Sequence, residues 1–385
     1  MRVLFTGVGA FGHVLPQLPL ARAFRRQGDA VAIMVPQSMA PAFAAEDAEV
    51  LAAGADIPTI LAELMRRTGV DPMTGMTLEV ETEFFVGTRV DLSADESLAV
   101  ARAWQPDLIV HDAYDFVAPL VAAALEVPAA LFMVSPAGSD ADGQGGYSPE
   151  FVRAAETAAA ERYAARGLVP RPARWVLDIC PPALQQDDWQ APEGWTPLRP
   201  EAHRLPDGLP APQLRPLTER PRILVTFGTI FGDPRTLSPI LRALSATGAS
   251  LRATLGLTTS AGDYDVEPDT VNFEPFAPLN ELLSGIDLVV GAGGAGTTIS
   301  ALGAGIPMVL VPQGADQFVQ AERACAAGAA LQLLPKAATP EAVAGAVRTV
   351  LAESSFRDGA GKIADQVAAM PSPDEVAAGL ASALT

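Results

Sequence analysis

The sequence is poor in cysteine, histidine, aromatic residues and charge. Only two cysteines occur, Cys180 and Cys325, so no disulfide framework is available and a reducing cytoplasm is the expected location. Charged residues make up 18% and hydrophobic residues 49% of the 385 residues, which excludes a disordered chain. This length favours two domains, each with its own core.

Positive charge is scarce in particular. Lys and Arg number 26 against 45 Asp and Glu, which gives a formal net charge of -19. Such a chain repels nucleic acid and anionic membrane surfaces at long range, so we expect neither as a partner. Any anion site must therefore be local and built from backbone groups and helix ends. The opening residues lack a basic-then-apolar leader and favour a buried strand.

One stretch lacks charge altogether. Residues 288–312 carry no charged side chain and are long enough to cross a bilayer. Several glycines and Pro307 cut the stretch into pieces of strand and helix length. We therefore expect a buried parallel-sheet core here and no transmembrane segment.

Short apolar runs alternate with helical stretches in two halves of the chain. The predicted strands are 2–6, 30–35, 49–53, 107–111 and 129–134, and then 222–226, 251–255, 271–276, 287–290, 308–311 and 330–334. From residue 140 to about 216 this alternation stops, apart from one helix predicted at 150–166. Strands separated by helices imply parallel sheets with ligand sites at their carboxyl edges.

These patterns predict an α/β protein with two Rossmann-like, doubly wound parallel-sheet domains that face each other across a cleft. We place the N-terminal domain at 1–204, a proline-rich linker at 205–216 and the second domain at 217–370. The segment 371–385 is expected to form a separate C-terminal helix, because its prolines and acids stand where a helix start favours them.

A glycine-rich turn follows the strand at 287–290. Gly293, Gly294 and Gly296 lie in this turn, and Thr297 is expected to open a helix. Glycine lets the backbone approach an oxyanion closely, and the free N–H groups of a helix start attract negative charge. The turn therefore predicts a phosphate site.

A dinucleotide site is the alternative, because residues 7–12 and 291–296 both match G-x-G-x-x-G. An NAD or FAD site also needs an acidic residue at the end of the next strand to hold the ribose. Both following strands end instead in Pro-Gln, at 36–37 and 312–313. We therefore expect no bound cofactor.

Only three histidines are available as a general base near neutral pH. His13 follows the first strand and Asp112 the fourth, so both are expected at the carboxyl edge of the N-terminal sheet. A histidine that takes a hydroxyl proton, paired with a carboxylate that fixes its tautomer, is one interpretation. The other is that His13 only packs the turn. His111 is expected to be structural and His203 to be solvated.

Other polar groups are expected near the glycine turn. Thr226, Gly228 and Thr229 end the first strand of the second half, while Asp316 and Gln317 are suited to the hydroxyls of a polyol. Both sets are equally compatible with ordinary loops.

Metal ligands are only weakly indicated. Asp140 with Asp142 and Asp263 with Asp265 form D-x-D pairs of the kind that chelates a divalent ion beside a sugar nucleotide. Both pairs lie in polar loops, where this spacing is common by chance, so no metal site is predicted.

Taken together, these residues make the chain similar to the bacterial GT-B glycosyltransferases that decorate antibiotics, enediynes, macrolides and related natural products. The resemblance covers nearly the whole chain. The matching motifs are Gly12-His13 with Pro16, Asp112, 226–229, 293–298 and 312–317.

This resemblance implies an inverting, metal-independent transfer of a sugar from a nucleoside diphosphate to a hydroxyl of a hydrophobic aglycone. His13 would take the acceptor proton, and Asp112 would stabilise the charged imidazole. The first domain would bind the acceptor, and the C-terminal helix would cross back onto that domain.

The resemblance also implies a donor site in the second domain, with the diphosphate on the glycine turn, the base beside residues 278–279 and the sugar beside residues 316–317. Its residues would be Thr226, Gly228, Thr229, Pro278, Leu279, Gly293, Gly294, Gly296, Thr297, Asp316 and Gln317. For the acceptor, adaptable apolar side chains after the third strand are the candidates, with a core role as the alternative. They are Met65, Met73, Met76, Phe84 and Phe85.

Two residues depart from the family pattern. Ala292 stands where the family has a histidine that contacts the diphosphate, and such a charge-assisted hydrogen bond is worth about 1.5–3 kcal/mol. Ser300 stands where members that use UDP-sugars often carry a glutamate for the ribose, which favours a TDP-deoxysugar here.

Three functions follow from these observations. The first is a glycosyltransferase of secondary metabolism, the second a catalytically silent partner of another transferase, suggested by Ala292, and the third a GT-B sugar-nucleotide epimerase. The sequence leaves open the sugar, the aglycone, the linkage through oxygen, nitrogen or carbon, and the choice between a monomer and a homodimer.

Overall fold

The computed structural model describes residues 1–71, 76–136, 148–206, 208–228, 232–256, 259–267 and 269–384. Four of the residues singled out in the sequence lie outside these ranges: Met73, Asp140, Asp142 and Thr229.

Two parallel sheets organise the chain. The first has seven strands in the order β3-β2-β1-β4-β5-β6-β7, and the second has six in the order β10-β9-β8-β11-β12-β13. The strands of the first sheet are β1 (Arg2–Thr6), β2 (Ala30–Val35), β3 (Glu49–Ala52), β4 (Leu108–Asp112), β5 (Ala129–Met133), β6 (Trp175–Asp178) and β7 (Trp195–Pro197). Those of the second are β8 (Arg222–Thr226), β9 (Ser250–Thr254), β10 (Val271–Glu274), β11 (Leu288–Gly291), β12 (Met308–Leu310) and β13 (Ala330–Gln332).

Helices connect the strands of both sheets. They are α1 (Phe11–Val14), α2 (Leu18–Arg26), α3 (Ala40–Phe43), α4 (Ile57–Thr68), α5 (Leu78–Thr82), α6 (Arg89–Trp104), α7 (Val117–Leu125), α8 (Pro149–Ala165), α9 (Pro234–Ser245), α10 (Leu279–Leu283), α11 (Ala295–Gly303), α12 (Gln317–Ala326), α13 (Pro340–Ala352), α14 (Ser354–Ala369) and α15 (Pro373–Leu384). A π-helical turn, Glu83–Thr88, joins α5 to α6.

The eleven strands predicted from the alternation all occur, with ends that differ by at most two residues. The predicted fold of two Rossmann-like α/β domains is confirmed. We call the part built on β1 to β7 the N-terminal lobe and the part built on β8 to β13 the C-terminal lobe. The domain and linker bounds at 204, 216 and 370 stay predictions.

Two strands were missed because the sequence pattern stops after residue 140. β6 and β7 pair in parallel beyond β5 and extend the first sheet to its edge. They are only four and three residues long, and β7 ends in a proline, which is tolerated at a sheet edge. A period of two cannot be recognised over so few residues.

The carboxyl edges of the two sheets carry most of the residues singled out in the sequence. In the N-terminal lobe the strand order reverses between β1 and β4, and in the C-terminal lobe it reverses between β8 and β11. Ligands of doubly wound sheets bind where this reversal opens a crevice. His13 follows β1, Asp112 is the last residue of β4, and the glycine-rich turn follows β11.

The C-terminal helix α15 belongs to the core of the N-terminal lobe. Val376 and Leu380 share a buried apolar cluster with Leu20 and Phe24 of α2, and Asp374 forms an ion pair with Arg26 at 2.7 Å. The chain therefore passes between the lobes twice, once after β7 and once after α14.

The uncharged stretch at 288–312 is divided into β11, α11 and β12. Within the described ranges, none of the helices has the length and apolar character that a bilayer crossing requires.

Two glycines of α14 allow a matched test of the close packing between α14 and the turn after α12. A Cβ at Gly359 would collide with the carbonyl oxygen of Gly328, whereas a Cβ at Gly361 would meet no atom within 4 Å. We expect Gly359→Ala to lower the free energy of unfolding by about 1–3 kcal/mol because the backbones must separate. Gly361→Ala should raise it by about 0.5–1 kcal/mol. Urea denaturation of both variants checks this, and equal effects would contradict the packing described.

Candidate active site

His13 and Asp112 are brought together at the carboxyl edge of the first sheet. The ring nitrogen Nδ1 of His13 lies 3.0 Å from Oδ1 of Asp112. The side chain of His13 is 22% exposed, while that of Asp112 is fully buried. The imidazole thus reaches solvent from a buried carboxylate, which is the geometry expected of a base and its partner.

Asp112 also holds the backbone around this pair. Its Oδ2 accepts a hydrogen bond from the amide of Val8 at 2.7 Å, and its Oδ1 accepts one from the amide of Tyr114 at 2.9 Å. An ionised carboxylate only accepts, so Nδ1 of His13 must carry the proton. Nε2 is left with a free lone pair. Glycine is required at position 7 beside Asp112, because a Cβ there would lie 2.8 Å from Oδ2 of Asp112.

The charges around His13 favour its protonated form. Burial lowers the pKa of His13, but the charge and hydrogen bond of Asp112, and the charge of Asp316, outweigh burial and raise the pKa above its ordinary value. Arg89 opposes this rise. The imidazole is therefore equipped to accept a proton and to remain stable once charged.

A second buried ion pair lies beneath the first and was not predicted. Arg89 donates to Oδ1 of Asp115 at 2.7 Å and to the carbonyl of Gly7 at 3.1 Å, and the hydroxyl of Thr6 donates to Oδ2 of Asp115 at 2.9 Å. Burial opposes ionisation of Asp115, but Arg89 lowers its pKa below the ordinary value. Through the bond from Arg89 to Gly7, this ion pair fixes the turn after β1 that leads to His13.

Aromatic rings extend from His13 along the N-terminal lobe. Tyr114 lies edge-on to His13 with ring centroids 5.6 Å apart, and Phe85 lies 4.9 Å from Tyr114. Phe85 is half-buried, and Phe84 is only 7% exposed within the cluster of Ile60, Leu64 and Val80. Of the two phenylalanines, Phe85 is the more exposed and lies beside Tyr114, and Phe84 packs edge-on to it.

The two methionines proposed for the acceptor are open to solvent. Met65 on α4 is 47% exposed, and Met76, before α5, is 53% exposed. Exposed apolar side chains of this size are suited to a hydrophobic ligand.

The glycine-rich turn presents an unobstructed helix start. Helix α11 begins at Ala295, two residues earlier than expected, with Gly294 as its N-cap and no capping side chain. The first intrahelical bond runs from Thr298 to Gly294, so the amides of residues 295–297 have no intrahelical acceptor. A Cβ at Gly294 or Gly296 would meet no atom within 4 Å. These amides therefore border open space that suits an anion.

Two other glycines of this turn have packing reasons. A Cβ at Gly291 would lie 2.5 Å from the carbonyl oxygen of Thr226, and Gly293 adopts φ +92° with its Cβ position 3.3 Å from the carbonyl of Gln317. Ala292 is 3% exposed and packs in the core of the C-terminal lobe. The hydroxyl of Thr298 is fully buried and has no partner among the described residues.

Thr226 and Gly228 lie beside this turn. Thr226 is in register with Gly291 in the neighbouring strand, and its hydroxyl accepts a hydrogen bond from Thr254 at 2.8 Å. Gly228 is exposed and adopts φ +70°, a conformation that glycine adopts without strain.

The loop before α12 brings Asp316 to the acceptor side. Oε1 of Gln317 accepts hydrogen bonds from the amides of Gln313 and Gly314 at 2.8 and 3.2 Å, which fixes the loop. Ala315 adopts φ +54°, a costly conformation for a residue with a side chain. Asp316 then accepts a hydrogen bond from Ser135 of the N-terminal lobe at 2.6 Å.

Another contact between the lobes lies near the residues proposed for the base. Pro278 is the buried N-cap of α10, and Leu279 is half-buried. Just before them, the ring of Phe276 lies 5.2 Å from Phe11 of α1. His203 is also here, 6.4 Å from the ring of Phe276, and is half-buried. The expectation that His203 is solvated is met only in part, because its ring packs beside Phe276 and is half-buried.

The remaining expectations concern structural residues. His111 is 4% exposed, and its expected place at the end of a buried strand is confirmed. Asp263 bonds the backbone and hydroxyl of Ser260, and Asp265 forms an ion pair with Arg242. The two carboxylates of the described D-x-D pair are thus engaged by different groups of the protein.

Sequence reasoning missed Ser135, Arg89, Asp115, Tyr114 and Phe276. Asp115 and Tyr114 follow Asp112 closely at a strand end, which is a usable signal. Arg89 comes from α6 and Ser135 from the segment after β5. Both meet the site only in three dimensions, so spacing alone does not reveal them.

Family models match most of the chain. The model for the N-terminal domain of erythromycin biosynthesis protein CIII-like proteins matches residues 22–192, and the model for their C-terminal domain matches residues 249–383.

Individual proteins are similar over their full length. The L-demethylnoviosyl transferase of Streptomyces niveus is 29% identical, and the alignment covers 99% of this chain and 98% of that protein. The glycosyltransferase SnogD of Streptomyces nogalater superposes with a TM-score of 0.79 at 26% identity, covering 100% and 99%.

A third relative has been solved with its ligands. The spinosyn rhamnosyltransferase SpnG superposes with a TM-score of 0.80 at 25% identity, covering 99% of this chain and 100% of that chain. Structures of SpnG complexed with thymidine diphosphate and with spinosyn aglycone are also similar to this chain.

The three histidines should separate in an NMR titration. The pKa of His13 is raised above the ordinary value, whereas burial lowers the pKa values of His111 and His203. One imidazole should therefore titrate at higher pH than free histidine and two at lower pH. Asp112→Asn removes the charge that raises the pKa of His13, so this titration should move to lower pH.

His13→Ala assigns the signal in the same experiment. If the signal that disappears is one that titrates below the ordinary histidine pKa, the electrostatic description of the site is wrong.

Proposed function

The chain belongs to the family of erythromycin biosynthesis protein CIII-like proteins, and we propose that within this family it transfers a TDP-activated deoxysugar to an aglycone hydroxyl with inversion. It is a bacterial natural-product glycosyltransferase with a GT-B fold. The inverting course, the TDP donor and the absence of a metal requirement are the parts that we propose.

The proposal rests above all on the pair formed by His13 and Asp112. Nδ1 of His13 is engaged by the buried carboxylate, Nε2 has no hydrogen-bond partner among the described residues, and the side chain is 22% exposed. Nε2 would take the proton of the acceptor hydroxyl while its oxygen forms a bond to the anomeric carbon. The bond from that carbon to the diphosphate breaks, and its electron pair leaves with TDP. One displacement at carbon inverts its configuration.

Asp112 would stabilise the imidazolium that forms in this step. Because it is fully buried and already accepts two backbone hydrogen bonds, it need not reorganise when the charge appears. The proton later passes to solvent, which the 22% exposure of His13 permits.

The diphosphate would bind at the start of α11. The amides of residues 295–297 border open space, and Thr297 adds a hydroxyl. Ala292 lies in the core, so helix-end groups replace the family's histidine as the anion contact. Thr226 and Gly228 would close this site on the β8 side, with Pro278 and Leu279 against the base. Thr229 lies outside the described residues and stays a sequence-based candidate for the same site.

Two observations support thymidine diphosphate as the nucleotide. Ser300 supplies no carboxylate for a ribose 2′-hydroxyl, and the similar SpnG structure contains thymidine diphosphate. Asp316 and Gln317 would hold the sugar. Phe85, Met65 and Met76 would contact a flat hydrophobic aglycone, with Phe84 supporting them.

His13→Ala should reduce turnover by about 10²–10⁴-fold, because the acceptor proton then has no base. The affinity for TDP, measured by calorimetry, should stay unchanged, since the anion contacts lie in the other lobe. His203→Ala is the matched control and should keep most of the activity. Turnover in His13→Ala comparable with the wild type would remove the proposed base.

The stereochemistry of the product provides a separate test. With an α-linked TDP-sugar and an accepted aglycone, the NMR coupling constant at the anomeric carbon should show a β-linked product. Addition of EDTA should leave the rate unchanged, because amides and a helix end supply the contacts to the diphosphate. Retained configuration, or a rate that falls with EDTA and returns with Mg²⁺, would contradict the mechanism.

A further inference from the structure

Ser135 lies at the same sheet edge as the catalytic pair. It follows β5, whose Phe132 is in register with Asp112 of β4. Ser135 is 4% exposed, so its hydroxyl is shielded from water. Nothing in its local sequence identifies it as functional.

The hydroxyl of Ser135 reaches across to the C-terminal lobe. It donates to Oδ2 of Asp316 at 2.6 Å, a short distance typical of a hydroxyl that bonds a carboxylate. Among the residues that the structure describes, Oδ1 of Asp316 has no hydrogen-bond partner. One oxygen is thus held by the opposite lobe, and the other is left for a ligand.

We propose that Ser135 is a positioning residue for sugar transfer, which orients the carboxylate of Asp316 so that one oxygen faces the donor sugar. This inference rests on the proposed function and adds a residue of the acceptor-binding lobe to the donor site. The hydroxyl has a single proton, and donating it to Oδ2 fixes the rotation of the carboxylate. Asp316 is then oriented toward the donor sugar only when the two lobes are close enough for Ser135 to reach it.

The position of Asp316 also affects His13. The groups that face His13 are Asp112 from β4, Tyr114 from the loop after it, Arg89 from α6 and Asp316 from the other lobe. The negative charge of Asp316 raises the pKa of His13. If Asp316 moves away, that pKa falls, so the acidic limb of the kcat/KM profile should move to lower pH.

Ser135→Ala tests the proposal by removing only the hydroxyl. We expect the affinity for a TDP-hexose to fall about tenfold, as for the loss of one hydrogen bond to a charged group, while the affinity for TDP stays unchanged. Calorimetry with TDP and with the tightest-binding member of a TDP-hexose panel measures both. Ser238→Ala is the matched control, since Ser238 is also 4% exposed and bonds only within its own lobe.

A double-mutant cycle shows whether Ser135 acts through Asp316. Because its effect is expected to pass through that carboxylate, Ser135→Ala should cause no further loss of TDP-hexose affinity in an Asp316→Ala background. Additive losses would overturn the proposal. Equal losses for TDP and TDP-hexose, or a Ser135→Ala variant that behaves like Ser238→Ala, would also overturn it.

The binding measurement separates this inference from the proposed function. His13→Ala should bind the TDP-hexose normally, and only its turnover reports on the proposed base. A failure of Ser135→Ala to change sugar affinity therefore refutes the positioning role alone.

Discussion

The buried carboxylate of Asp112 is the constraint on which the acceptor side of the site depends. It engages the imidazole of His13, the amide of Val8 and the amide of Tyr114 at once. A carboxylate without water must have its oxygens satisfied by the protein, so the turn after β1 and the loop after β4 are fixed around it. The orientation of the base is therefore a consequence of satisfying one buried charge.

The donor side is built by a different means. Around the start of α11 the site is formed mainly by backbone groups. Gly291 lets β11 approach Thr226 closely, and Gly294 and Gly296 leave space above the amides. With an overall charge of -19, the protein gains local attraction for an anion from aligned peptide groups. Side chains shape the site in the N-terminal lobe, and main-chain groups shape it in the C-terminal lobe.

The sequence was sufficient wherever the signal is local. Apolar runs of five or six residues located β1, β2 and β8 to the residue, and His13, Asp112 and the glycine turn follow directly from their strands. The short edge strands β6 and β7 were missed because few residues carry the period. Ser135 and Arg89 were missed because their partners lie 181 and 26 residues away along the chain, and only packing brings such groups together.

The two passages of the chain between the lobes run side by side. After β7, the amide of Arg199 donates to the carbonyl of Pro371, just before α15, at 2.8 Å. Two adjacent covalent connections restrict relative sliding and leave rotation about their common line as the easiest movement. Rotation about this line would open the crevice between the lobes. His13 and the glycine turn, which lie on opposite sides of the crevice, would then move apart.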